Sequence, residues 1–122
     1  MKHLQISNDH FQPETLSSFV NGKEALMWAT LKELKKGLDH DAQLINKALK
    51  ENNKEQLRSL AHKIKPNFFL MGMNDVGQLC KELESVEFND EGISQVDLLL
   101  EKIPDVIKEI DEFTIGKLYH QL

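Results

Sequence analysis

The residues best suited to chemistry in this chain lie in one central stretch, Arg58, His62 and Lys65. Neutral imidazole is a nitrogen nucleophile near neutral pH. On a helix, an arginine four residues before it and a lysine three residues after it share its side of the cylinder. A nucleophile between two cations suits the acceptance of an anionic group such as phosphoryl, because that transfer asks mainly for positioning and charge stabilisation. Lys65 is the better placed of the two cations to meet the phosphoryl oxygens.

The element that must position them is read from hydrophobic spacing. Leu57, Leu60, Ala61, Ile64, Phe68 and Met71 recur at helical period and form a core face. Arg58, His62, Lys65 and Phe69 fall on a second arc, about 150° from the first at 100° per residue, where they meet solvent. Pro66 lies inside the same helix and lacks the N–H that would bond the carbonyl of His62, so a bend is expected beside the histidine.

Other constellations carry less. Asp39, His40 and Asp41 are adjacent on a helical segment, so their side chains diverge and a metal site is not expected. None of the five histidines follows a glutamate by three residues, the unit that a bundle-borne metal centre uses. Cys80 is the only cysteine, which rules out an internal disulfide, and it reads as a core thiol.

The string Ala61-His62-Lys63-Ile64-Lys65, with Gly72 ten residues beyond the histidine, resembles the signature Ala-His-x-Leu-Lys-Gly of the histidine phosphotransfer (HPt) family of multistep phosphorelays. Val76-Gly77-Gln78-Leu79-Cys80-Lys81-Glu82-Leu83-Glu84 is similar to the helix that follows it in that family, and the resemblance covers roughly residues 13 to 119. It implies that His62 accepts a phosphoryl group on Nε2 from a receiver-domain aspartate and passes it to another response regulator. It further implies that a hybrid histidine kinase and receiver domains are the partners, and that the receiver supplies Mg²⁺. Glu84, 22 residues after His62, matches the place where relatives carry a Gln or Glu that bonds the imidazole. Arg58, Lys63, Pro66 and Phe69 are the expected partner-binding residues. Pro66 stands where the family has Gly, and Phe69 where small residues are common. The alternative reading is a helical protein–protein interaction module with no phosphotransfer.

Composition agrees with one domain. A length of 122 residues suits a single core, and 20 acids against 15 bases give a formal charge of −5, which argues against a nucleic-acid partner. No glycine-rich phosphate loop is present, so a carrier without its own ATP site or cofactor is expected rather than an enzyme. No apolar run approaches a signal peptide or membrane span, so a cytoplasmic monomer is expected.

In chain order, residues 1–12 have no period and read as a partly ordered lead-in to a domain at 13–122. Pro13 opens a short helix ending near Val20. Asn21 and Glu24 have the form of a capping box before the longest helix, whose seam is Met27, Leu31, Leu34, Leu38, Ile45 and Leu49. Asn53 with Gln56 caps the His62 helix. A fourth helix starts near Asn74 with Val76, Leu79, Cys80 and Leu83 inward. Residues 88–92 read as a turn. A last helix from about Ile93, containing Pro104, carries Ile93, Val96, Leu100, Ile103, Ile107, Ile110 and Leu118 as its stripe. The fold expected is all-α: an antiparallel up-down-up-down four-helix bundle with a short extra N-terminal helix.

Overall fold

Each helix expected from the hydrophobic spacing forms. The computed structural model describes residues 6–120. After one 3₁₀ turn at Ile6–Asn8 come α1 (Pro13–Phe19), α2 (Glu24–Lys50), α3 (Lys54–Leu70), α4 (Asn74–Leu83) and α5 (Asp90–His120). There is no strand among the described residues.

Three helices end in the same way. A residue with positive φ, Asn21 (56°), Asn52 (53°) or Gly72 (71°), turns the chain. The next amide then bonds five residues back: Gly22 to Ser17, Asn53 to Ala48 and Met73 to Phe68, each at 2.8 Å. This closes the last carbonyls of α1, α2 and α3. Asn21 therefore ends α1 and does not begin a capping box. Lys23 precedes α2 with no side-chain cap, because a residue held in the left-handed region cannot also serve as an N-cap three positions before Glu24. At α3 the cap does form, with Asn53 Oδ1 accepting from the Gln56 amide at 3.1 Å.

Connections of only three residues, 51–53 and 71–73, make α2, α3 and α4 antiparallel neighbours. α5 closes the ring by packing on both α4 and α2, while α1 leans on α2 and α3. The interior is filled by fully buried Leu38, Ile45, Ile64, Phe68, Met71 and Ile110. At about 25 cal/mol per Å² of apolar surface, such burial is the main force holding the ring together.

Three expectations need correction, all of them at α5. α5 starts at Asp90, not near Ile93, because Asn89 Oδ1 caps the amide of Gly92 at 3.1 Å. With 31 residues α5 is also longer than the 27-residue α2. Its buried stripe is Val96, Leu99, Ile103, Val106 and Ile110, whereas Ile93 and Leu118 are exposed. Those five positions alternate three- and four-residue steps, the seam of antiparallel bundle packing, and the stripe inferred from sequence shares Val96, Ile103 and Ile110 with it but takes Leu100 and Ile107 in place of Leu99 and Val106. α3 and α5 continue as helices through Pro66 and Pro104.

Residues 1–5 of the expected lead-in lie outside the described residues. The rest of it is built into the domain. Ile6 and Phe11 are buried, Phe11 meets Phe113 of α5 edge-on at 5.6 Å, and Asp9 Oδ2 accepts from the Val76 amide at 2.8 Å. That last bond caps the N-terminus of α4, for which Met73 offers no side-chain acceptor. Gly72 makes room for the same segment: a Cβ there would lie 2.6 Å from Thr15 Oγ1 and 2.7 Å from Gln12 Cβ.

Candidate functional site

The site is built where α3 and α4 run closest. Gly77 of α4 is buried, and the ring of Phe69 lies on it, so that a Cβ at Gly77 would come within 2.6 Å of that ring. Seven residues back along α3 is His62, and seven residues forward along α4 is Glu84. Two turns in opposite directions along antiparallel helices keep those two residues level. The close approach made at Gly77 thus brings Glu84 to the imidazole.

Glu84 is shared. One carboxylate oxygen, Oε1, bonds His62 Nδ1, and the other, Oε2, accepts from Lys65 Nζ at 2.7 Å. The Lys65 bond is the largest cause holding the Glu84 carboxyl below its usual range. Burial opposes it, and the His62 bond adds to it. Glu84 is therefore a carboxylate at neutral pH and can only accept, so Nδ1 carries an N–H, and in the neutral form of the ring the lone pair is on Nε2. The His62 side chain is 72% exposed, against 22% for Glu84. The arrangement is thus an outward ring, held from behind through Nδ1, with Nε2 at its free edge.

The carboxylate is there against local preference. Glu84 is the C-cap of α4, the end of a helix where negative charge is disfavoured. His62 and Lys65 on the neighbouring helix supply the compensation, and such a local conflict is expected where a site needs a group its helix does not. One turn earlier, Cys80 is fully buried. Burial first and the Glu84 charge second push its thiol up to about 12, so it stays protonated and unreactive.

The remaining residues singled out from sequence separate into two groups. Pro66 and Phe69 continue the exposed His62 face, Phe69 with 39% of its surface open. Arg58 and Lys63 are engaged elsewhere. Arg58 Nη2 donates to the Val86 carbonyl at 3.3 Å, and its guanidinium stacks 5.3 Å from the Phe88 ring centre, which ties α3 to the α4–α5 connection. Lys63 Nζ donates to Asp41 Oδ1 at 2.8 Å. Lys65, the cation assigned to phosphoryl oxygens, rests on Glu84.

Asp41 is the residue that sequence reasoning missed. It is 2% exposed and reaches across from α2 to the residue beside His62. The signal was its phase: Asp41 lies three residues after Leu38 and four before Ile45, on the apolar seam, and a charge there needs a buried partner. His40 is exposed, and no group of three metal-ligating side chains occurs among the described residues.

The family model of the Hpt domain matches residues 29–113, which includes α3, α4 and the whole of the site. Comparison with curated proteins and with solved structures gives no match. No helix of the described residues is long and apolar enough to cross a membrane. A four-helix bundle, an outward histidine in the motif helix and a family match over most of the chain agree, and the protein belongs to the Hpt domain family of histidine phosphotransfer in two-component phosphorelays.

Proposed function

We propose that His62 is the phosphoryl acceptor and that the protein relays the group from a receiver-domain aspartate to the aspartate of another response regulator. The observation that carries this reading is the Glu84 contact, which leaves Nε2 as the free, exposed nitrogen of a fixed ring. The Nε2 lone pair attacks phosphorus, the bond from phosphorus to the donor's carboxylate oxygen breaks, and that aspartate leaves ionised. The proton on Nδ1 stays in place, and the positive charge that develops on the ring is met by Glu84. Reversal with a second receiver returns Nε2 to its starting state.

Mg²⁺ and the acidic pocket belong to the receiver in this scheme, and a hybrid histidine kinase is the source of phosphate. The absence of a glycine-rich phosphate loop from the sequence supports a carrier with no nucleotide site of its own. Lys65 reaches phosphoryl oxygens by exchanging Glu84 for them, and Glu84 retains its bond to Nδ1. Pro66 and Phe69 offer the receiver an apolar contact beside the ring. The relay is placed in the cytoplasm in this scheme.

The test is incubation with a phosphorylated receiver domain. Acid-labile, base-stable phosphate on the protein is the expected result. Its absence, with receiver phosphate undiminished, leaves a helical interaction module as the reading.

A further inference from the structure

A second surface lies across the bundle from His62. Because α3 and α4 form one side of the four-helix ring, α2 and α5 form the opposite one. Between them runs a groove of about 670 Å³. On α2 it is lined by Trp28, Lys32, Lys35 and Asp39, and on α5 by Ile107, Asp111, Thr114 and Leu118, both sets spaced 0, 4, 7 and 11. Lys35 and Asp111 form an ion pair across it and set the register. Trp28 then stands level with Leu118, and Lys32 with Thr114. The groove is three turns long, roughly 16 Å at 1.5 Å per residue, and it has the shape left when one pair of helices is removed from a bundle.

Its two walls differ in sign. Lys32, Lys35 and Lys36 on the α2 side outweigh Asp39, and among the described residues neither Lys32 nor Lys36 has a carboxylate within ion-pair distance. Asp111 is the charged residue on the α5 side. The groove opens onto an apolar end of α5, where Leu118 is 55%, Ile115 62% and Tyr119 76% exposed. A single helix of either charge would gain from one wall and lose to the other. A second copy of the same surface, turned about a two-fold axis along the groove, sets each basic wall against an acidic one, and does so twice.

In place of the monomer expected from the sequence, we propose that this groove is the interface of a homodimer, in which α2 of each copy lies over α5 of the other. Trp28 then covers the partner's Leu118, and Lys32 and Lys36 flank the partner's Asp111. The formal charge of −5 per chain opposes association. At physiological salt that repulsion is screened beyond about 8 Å, so the contacting walls decide. Both His62 rings face away from the axis, so the dimer offers two acceptors that receivers reach independently.

Sedimentation equilibrium of the full chain at about 100 μM, a concentration that reveals a dimer of micromolar affinity, should give twice the monomer mass of 14.0 kDa. Leu118→Glu, and separately Lys32→Glu with Lys36→Glu, change exposed side chains and should leave the helical spectrum intact. Each should weaken the dimer at least about tenfold, the effect expected when a central contact is lost. Mixing Lys32→Cys chains with Thr114→Cys chains should give a disulfide-linked pair, since the native Cys80 is buried. A wild-type mass of 14.0 kDa at that concentration overturns the proposal. A dimer indifferent to both variants, or one that yields no mixed cross-link, overturns it equally.

Discussion

Among the described residues two histidines hold a glutamate at Nδ1, and they differ in what lies behind the glutamate. His10 Nδ1 is 2.7 Å from Glu109 Oε1, with the His10 side chain 58% exposed. His62 makes the same kind of contact with Glu84. Beyond that the pairs diverge. Glu84 gives its second oxygen to Lys65, whereas the second oxygen of Glu109 is buried without a hydrogen-bond partner. His62 sits in the middle of a 17-residue helix, and His10 sits in an irregular segment before α1. A carboxylate on a ring nitrogen therefore does not mark an acceptor by itself. What distinguishes the His62 pair is a cation sharing the carboxylate, helices on both sides to hold the geometry, and an open apolar flank for a partner.

The strongest way to break this comparison is to exchange the two rings one at a time. His62→Gln should abolish labelling by a phosphorylated receiver and leave the melting curve in place, since the side chain is mostly exposed. His10→Gln, like His40→Gln, should leave labelling at the wild-type level. Phosphate retained by the His62 variant would mean that the wrong histidine has been assigned.

Removing the carboxylates gives the next largest effect. Glu84→Gln should slow phosphoryl transfer roughly tenfold or more, the low end of what is lost when the carboxylate that orients a histidine ring from behind is removed. Nitrogen-15 NMR of the His62 ring should show it passing from one tautomer to a mixture. Glu109→Gln should alter the His10 ring alone. An unchanged His62 ring in Glu84→Gln would assign its orientation to another group.

Acid should act on the Glu84 contact as well. The folded Glu84 carboxyl is held below its ordinary value of 4.5. A depressed acid contributes stability that is present above the unfolded value and lost as the pH falls through the folded one. Its contribution should therefore be full at neutral pH and fade below about pH 4.5. Since the Lys65 bond is the first cause of the shift, Lys65→Met should move the Glu84 carboxyl titration, followed by carbon-13 NMR, upward. A titration that does not move would deny Lys65 its part.

Gly77→Ala tests the helix contact beneath the pair. A methyl 2.6 Å from the Phe69 ring forces that ring outward or the helices apart. A loss of about 1–3 kcal/mol in denaturant unfolding is expected, the usual cost of overpacking. Transfer should slow with it if the helices separate, and Phe69→Ala in the same chain, which removes the ring that the methyl meets, should restore the stability. The smallest effect is expected at Pro66. Pro66→Gly returns an amide to the His62 carbonyl but enlarges the unfolded ensemble, so stability should change by no more than about 1 kcal/mol. Transfer should stay level or quicken, and a large loss with the fold intact would show that the proline is required for docking.

What the amino-acid order determined by itself was each helix and, for α2, α3 and α4, the side on which it is wet. The outward phase of His62, the inward phase of Phe68 and Cys80, and the Asn53 cap follow from contacts within a few residues, and a period of 3.6 records them directly. Glu84 was legible because its distance along the chain matches a family pattern. The use of each cation was decided only by tertiary structure. Lys65 turns to Glu84, Lys63 to Asp41 and Arg58 to Phe88 because of what the neighbouring helix or loop happens to present. Periodicity says which face a residue occupies, and it is silent on the partner that face will meet. The same holds for Phe11, which has no periodic neighbours and is buried against Phe113 from nearly the other end of the chain. It holds again for the α2–α5 groove, whose opposite walls come from segments some eighty residues apart and acquire their register only when the ring of helices closes.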